Sequence, residues 1–371
     1  PPRAARRVPP RASRTAMPSD GAPAAPALPV LRRIARLGGT GGVTLACVRA
    51  EAYVLAAGED LEVHLYNVAD AVSQAMQSPS RSQQLPKAAG ARDDEAHLPQ
   101  ARHVHSFAGP QRFAIEALAL ASSHSRLVCG GRDRAANVWD IARASLHRSL
   151  TGHTEPLRAL AFAGEGDSLV LTGSSDRSLR IYDLRSSHKD GLVQALDNFA
   201  DTVSSVQAHG ARIIAGCADG TVHTFDARKG RELVDAIGPS VGDIALSANG
   251  RQALVACVGG AGAGALGLLD TVDGRLIRTF RGHKNKENRI HCDFVGLATP
   301  NGLAQEDCNA YVATGSETGT VHVWDRTTGQ ALATPDVVHR QSISALACGE
   351  GTIVSCSYDG AGWLWQLEPQ Q

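Results

Sequence analysis

The chain has no C-x-x-C pair, no apolar run of the roughly 18 residues a membrane helix requires, and no excess of charge of either sign. Its eight cysteines stand singly at 47, 129, 217, 257, 292, 308, 348 and 356. Several fall within strand-like runs, where a thiol packs as a small hydrophobe, so reduced, structural cysteines and a cytoplasmic and nuclear setting are expected. Lys plus Arg equals Asp plus Glu at 37 each, which removes the global field that draws a protein to nucleic acid or a lipid surface. No membrane association and no direct sequence-specific nucleic acid binding are expected. Tryptophan is scarce, at four residues, and that scarcity makes their placement informative.

What is present is a beat. Strand-like runs end at Tyr66-Asn67, Trp139-Asp140, Tyr182-Asp183, Phe225-Asp226, Leu269-Asp270, Trp324-Asp325 and Trp365-Gln366, and six residues before the ring or apolar residue sits Asp or its remnant. The endings are spaced 73, 43, 43, 44, 55 and 41 residues apart. A period of roughly 40–45 residues is that of a four-stranded propeller blade carrying a Gly-His and a Trp-Asp. The 38 glycines suit many tight turns between short strands.

On these residues the chain resembles the WD40 β-propellers. Gly152-His153 and Gly282-His283 open two repeats, His339 holds the same place in the last, and Trp139, Trp324 and Trp365 all fall on the ending position. The expected fold is all-β, a seven-bladed propeller over residues 29–367, preceded by a disordered Pro/Ala/Arg-rich tail at 1–28 and followed by a short tail at 368–371. Five arginines and no acid before Met17 admit a transit peptide, a basic tail, or Met17 as the start. Residues 71–100 and 295–309 lengthen two intervals and read as loop insertions, whose closure cost grows only logarithmically with length.

The resemblance implies a hydrogen-bonded set in each blade: His, a Ser or Thr on the second strand, Asp in the following turn, and Trp. A buried indole N–H needs an acceptor, a hydroxyl both donates and accepts, and a carboxylate fixes an imidazole tautomer. The last repeat has all four, His339, Ser355, Asp359 and Trp365. The third has His153, Thr172 and Asp176 with Tyr182 for Trp, and the sixth has His283, Thr314 and Trp324 with Thr318 where Asp is expected. The second keeps Asp133 and Trp139, with Cys129 at the hydroxyl position and Pro110 read in place of His. The fourth retains Asp219 with Phe225, and the fifth almost nothing, so its turn is expected to be the softest. These polar residues are scaffold.

Too few residues follow Trp365 for another strand, so residues 29–37 are expected to supply the outermost strand of the last blade and cover its edge. Three motifs are set aside. Gly262–Gly267 matches G-x-G-x-x-G but lacks the helix a dinucleotide needs. Gly166-Asp167-Ser168-Leu169 has no base to activate its serine. His103 and His105 supply two imidazoles where a metal wants three or four ligands. No catalytic residue, cofactor or metal is expected, and the chain is read as non-enzymatic.

A narrower resemblance covers about 150–293. Asp176-Arg177-Ser178-Leu179-Arg180, Val203-Ser204-Ser205-Val206, the Leu268-Leu269-Asp270 ending and then Gly282-His283-Lys284-Asn285 are similar to the mitogen-activated protein kinase organizer family, WD-repeat scaffolds also found in spliceosomes. That implies a platform for kinases of the mitogen-activated cascade or for splicing factors, a monomeric propeller within larger complexes. Residues just before the turn acid, Glu59, Arg132, Ser175, Glu317 and Tyr358, are candidate partner contacts, because loops on a rigid frame carry binding and Arg and Tyr are hot-spot types. A different reading comes from Tyr182-Asp183-Leu184-Arg185 and Phe225-Asp226-Ala227-Arg228, which resemble the motif by which WD40 substrate receptors dock on cullin-RING ubiquitin ligases, with Arg185 and Arg228 as the contacts.

Overall fold

The computed structural model describes residues 30–37, 44–50, 52–77, 99–187, 191–228, 230–260, 264–296, 310–332, 339–349 and 351–368. The tail at 1–28, most of both insertions and the centre of the blade-five turn lie outside these residues.

The chain first lays down β1 (Val30–Leu37), then one antiparallel sheet after another. Blade one is β2 (Thr44–Ala50), β3 (Tyr53–Gly58), β4 (Glu62–Asn67) and, after α1 (Ala69–Gln77), β5 (Arg102–Ala108). Blade two holds β6 (Ile115–Leu120), β7 (Arg126–Gly131), β8 (Ala136–Asp140) and β9 (Ser145–Leu150). Blade three holds β10 (Leu157–Ala163), β11 (Leu169–Ser174), β12 (Leu179–Asp183) and β13 (Leu192–Leu196). Blade four holds β14 (Val203–His209), β15 (Arg212–Cys217), β16 (Thr221–Asp226) and β17 (Arg231–Ala236). Blade five holds β18 (Val241–Leu246), β19 (Gln252–Cys257), β20 (Ala265–Asp270) and β21 (Leu276–Phe280). Blade six holds β22 (Cys292–Val295), β23 (Tyr311–Thr314) and β24 (His322–Asp325), and blade seven β25 (Ile343–Gly349), β26 (Thr352–Ser357) and β27 (Gly362–Glu368). Each first strand touches the next, from β2 through β6, β10, β14, β18 and β22 to β25, and β25 touches β2. Seven blades therefore form a closed ring.

Burial grades outward. Residues 353–357 of β26 are all buried, whereas Leu192–Ala195 of β13 are exposed. Apolar clusters fill the wedges between blades: Val128 and Val138 of blade two meet Leu157, Val170 and Tyr182 of blade three. The described cysteines 129, 217, 257, 292 and 356 are free and buried within such wedges. In blade six the outer strand is represented among the described residues by Ala331, which bridges Trp324.

β1 is the outer strand of blade seven, paired with β27 from Val30↔Glu368 to Leu37↔Gly362. A bulge between Arg33 and Ala35 resets the alternation, so Ile34 and Ala35 both point inward and are buried. The expectation of a loop from residue 71 is corrected at its start. Asn67 Oδ1 accepts the Ala69 N–H at 2.9 Å, a side-chain cap that starts α1, and Ala71 and Val72 pack into the cluster holding Ile34, Ala35 and Leu37. The segment had something to bury after all. β1 also bonds beyond its own blade, through the Arg36 N–H to Pro99 O at 3.0 Å and the Ala101 N–H to Arg36 O at 2.8 Å.

Candidate functional site

The polar sets differ from blade to blade. In blade three His153 lies 2.8 Å from Asp176 through Nδ1 and 2.7 Å from Thr172 Oγ1 through Nε2. Asp176 also accepts the N–H groups of Thr154 and Ser178 at 3.1 and 3.0 Å. Tyr182 stands outside this set, because its hydroxyl donates to Thr151 O at 3.1 Å. In blade seven Ser355 Oγ is shared by His339 Nε2 and the Trp365 indole N–H, each at 2.8 Å, while His339 Nδ1 and Asp359 stand 3.6 Å apart. Asp359 takes the N–H of Arg340 and Ala361 at 2.8 and 2.9 Å, and although burial opposes it, these bonds and His339 hold the carboxyl well below its usual range.

Blade two corrects the sequence reading by one residue. The acid's contact with the residue after the histidine (Thr154, Arg340) is made here by Arg112 N–H to Asp133 at 2.9 Å, so the histidine position is Gln111 and not Pro110. Gln111 is buried and donates from Nε2 to Cys129 Sγ at 3.1 Å. Blade six corrects it further, for His283, Thr314 and Trp324 make no hydrogen-bonded set. Thr314 Oγ1 donates to His291 O at 3.1 Å, both His283 ring nitrogens are buried without a partner, and Trp324 meets the imidazole edge-on at 5.6 Å.

That burial, with His322 beside it, pulls His283 down to about 4. An unfolded histidine titrates near 6.5, so this group leaves stability intact above about 6.5 and removes it as pH falls toward 4. Asp293 acts in the opposite sense between roughly 4 and 7, because burial raises its carboxyl to about 7. A comparison of variants isolates the histidine. Between pH 7.5 and 4.5 the wild-type chain is expected to lose about 2 kcal/mol more than His283→Gln, read from urea midpoints, and equal losses would refute the assignment.

The inner strands carry a second polar system around the channel. Glu116 on β6 accepts Arg132 Nε at 2.8 Å and a close contact from Arg158 Nη1 on β10. Arg158 Nε reaches Ser175 Oγ at 3.2 Å. Arg289, in the loop before β22, donates to Gly242 O at 2.9 Å and to Arg158 O at 2.5 Å, and stands 3.7 Å from Asp243. Asp243 accepts Ser205 Oγ at 2.9 Å and Cys292 N–H at 3.1 Å. Arg289 thus runs from blade six to blade three, across the channel. A cavity of about 210 Å³ is lined by Glu116, Arg158, Asp243, Arg289 and Asp293. The carboxylates are recessed and the cations lie above them: Glu116 and Asp243 are 9% and 11% exposed, Arg132 and Arg158 62% and 39%.

Four of the sequence candidates face this mouth. Arg132 and Ser175 bond to its charged pair directly. Tyr358 is raised above its usual value by burial and by Glu116, with Arg289 and Arg158 opposing, and Glu59 acts electrostatically on both Arg132 and Tyr358. Glu317 does something else, since its Oε1 accepts the N–H groups of Lys286, Glu287 and Asn288 at 2.8, 2.6 and 3.0 Å and fixes that loop. Arg185 and Arg228 lie at the opposite end of the third strands. Arg185 is bonded back to its own Asp183 at 3.2 Å, and Arg228 borders a cleft with Leu120 and Phe162. Sequence reasoning does not single out Glu116, Arg158, Asp243 or Arg289, although the first three show a signal: one charge near the start of an otherwise apolar first strand, Ile-Glu-Ala-Leu, Leu-Arg-Ala-Leu and Val-Gly-Asp-Ile.

Fold and polar sets together define a seven-bladed β-propeller that contains WD40 repeats. The WD40 profile, described as WD domain, G-beta repeat, matches residues 101–140, 144–183 and 274–325. Among curated proteins the chain is similar to WD repeat domain-containing protein 83 of Homo sapiens, 34% identical over 166 residues, 45% of this chain and 44% of that protein. The same protein of Rattus norvegicus is 33% identical over 150 residues, 40% of this chain and 43% of the relative. Autophagy-related protein 16 of Arabidopsis thaliana is 24% identical over 227 residues, 61% of this chain and 40% of the relative. The chain spans about two fifths of the length of these relatives.

Proposed function

We propose that this propeller is a non-catalytic scaffold that gathers proteins on its rims, with kinases of the mitogen-activated cascade or splicing factors as the partner classes and the channel mouth as the principal contact. The observation that carries the reading is the arrangement of exposed guanidinium groups over recessed carboxylates, fixed by inner strands of a closed ring. Side chains held in place bind with less loss of freedom than mobile ones, and Arg and Tyr are the types that dominate such contacts. The similarity to WD repeat domain-containing protein 83 supports the scaffold reading.

Affinity purification of the tagged chain from nuclear and cytosolic extracts, with mass spectrometry of what is recovered, tests this. The double variant Arg132→Ala/Tyr358→Ala is expected to lose at least tenfold of the bound kinases or splicing factors. An unchanged set, or a wild-type set holding neither class, would sink the reading. Arg185→Ala/Arg228→Ala serves as the second arm. Exposed Arg185 and the cleft beside Arg228 favour the alternative of a cullin-RING substrate receptor, and loss of ligase subunits from this variant alone would establish it.

A further inference from the structure

Blade six lacks an acid at the position where five other blades have one in the same turn, Asp60, Asp133, Asp176, Asp219 and Asp359. In blades three and seven the N–H of Asp176 and Asp359 bonds the hydroxyl two residues earlier, Ser174 and Ser357, each at 3.2 Å. Thr318 N–H does the same to Ser316 Oγ at 3.3 Å. The following residue has a left-handed backbone in every case, φ +64° at Arg177, +77° at Gly360 and +79° at Gly319. The acid meets a hydroxyl two residues later in blades three and four, Asp176 with Ser178 and Asp219 with Thr221, both at 2.6 Å. Thr318 Oγ1 meets Thr320 Oγ1 at 2.9 Å. By these contacts Thr318 occupies the acid's place in the turn, while the Lys284 N–H, whose counterparts in blades two, three and seven reach the acid, bonds Ser316 Oγ at 3.1 Å.

Its counterpart has no partner. His283 is 3% exposed and neither ring nitrogen is bonded, although an orphaned buried polar group costs about 1–3 kcal/mol and is rare in folded proteins. Thr318 itself is exposed. Its Oγ1 meets Ser316 Oγ at 2.7 Å and Thr320 Oγ1 at 2.9 Å, and Thr320 Oγ1 in turn meets His322 Nε2 at 2.9 Å. The Glu317 carboxylate is held by three N–H groups of the 286–288 loop, and exposed Lys284 and Lys286 stand on that loop. An anionic group added at Thr318 Oγ1 would supply the acceptor that the imidazole of this blade lacks.

We propose that Thr318 is a phosphorylation site, and that its phosphate completes with His283 the hydrogen-bonded set that blade six otherwise lacks. The step is transfer from ATP by a serine/threonine kinase. Thr318 Oγ1 attacks the γ-phosphorus, the bond from that phosphorus to the ADP oxygen breaks, the hydroxyl proton passes to a base of the kinase, and ADP departs. Access needs no opening of the blade, for Thr318 is exposed in the turn between β23 and β24. Phosphorylation would then tighten this blade and set the geometry of the turn on the partner-binding rim.

The test has two parts. Chain isolated from its own organism with phosphatases inhibited is mapped by mass spectrometry over the peptide 290–326, where phosphate is expected on Thr318. Phosphothreonine is then placed at 318 by genetic encoding. Its melting temperature is expected to rise by about 2–4 °C, and the 15N resonances of His283 to shift toward those of a hydrogen-bonded ring. Combined with His283→Gln, the same phosphate is expected to give no gain. Thr318→Asp, a smaller anion in the same seat, is expected to give part of the rise. An unmodified Thr318 in the isolated protein, a lowered melting temperature, or a gain that survives His283→Gln would each overturn the proposal.

Discussion

Replacing Trp365 by alanine is expected to lower the free energy of unfolding by about 3–5 kcal/mol, read as a shifted urea midpoint at constant slope. Trp365 is 1% exposed and packs with Leu31, Tyr311, Ile353, Trp363 and Leu367. Truncation opens a cavity where β27 is paired on both sides, by β26 and by β1, so neighbouring strands have little room to collapse into it. The indole also donates to Ser355 Oγ, and its loss strips one of the two partners from a buried hydroxyl. Trp365→Phe separates the two effects. It keeps most of the ring volume and is expected to cost roughly a third as much, since one net hydrogen bond contributes about 1 kcal/mol. A loss below 1 kcal/mol for alanine would mean that the blade refills the space.

Removing residues 1–38 is expected to leave an aggregation-prone protein, whereas removing 1–27 leaves solubility and melting unchanged. The difference is β1. Leu31, Ile34 and Leu37 are each 3% exposed, and burying such side chains contributes about 1.5–3 kcal/mol apiece. Together they match most of the 5–15 kcal/mol by which a domain is stable. The deletion also bares β27 as an edge and takes away the bed on which α1 lies, and exposed apolar edges recruit other chains. Light scattering during thermal melts of the two truncations decides it. Identical behaviour would show that the ring is closed by something other than β1.

Much of this architecture is legible before any coordinates. The seven endings mark the third strands, and the two long intervals show where the chain departs from its period. The legibility fails where bonding choices replace residue types. Reading Pro110 as the lost histidine treats Gly-His as a string, while Gln111 is identified by the neighbouring N–H that reaches Asp133. The absence of acid at Thr318 is plain in the sequence, yet nothing there says that Thr314 turns to the His291 carbonyl and leaves His283 alone. The mouth is hidden for another reason. Glu116, Arg158, Asp243 and Arg289 converge only because a ring brings together positions up to 173 residues apart in number, and no local pattern encodes that.

Arg289 changes how the molecule should come apart. Repeat arrays in which each unit touches only its neighbours unravel from any weak point, with stability a sum of local terms. Blade three and blade six share no wedge, yet one guanidinium group joins the backbone of the first to a loop of the second. A spoke of this kind makes damage in one half of the wheel felt in the other, and a partner seated over it would grip both halves at once.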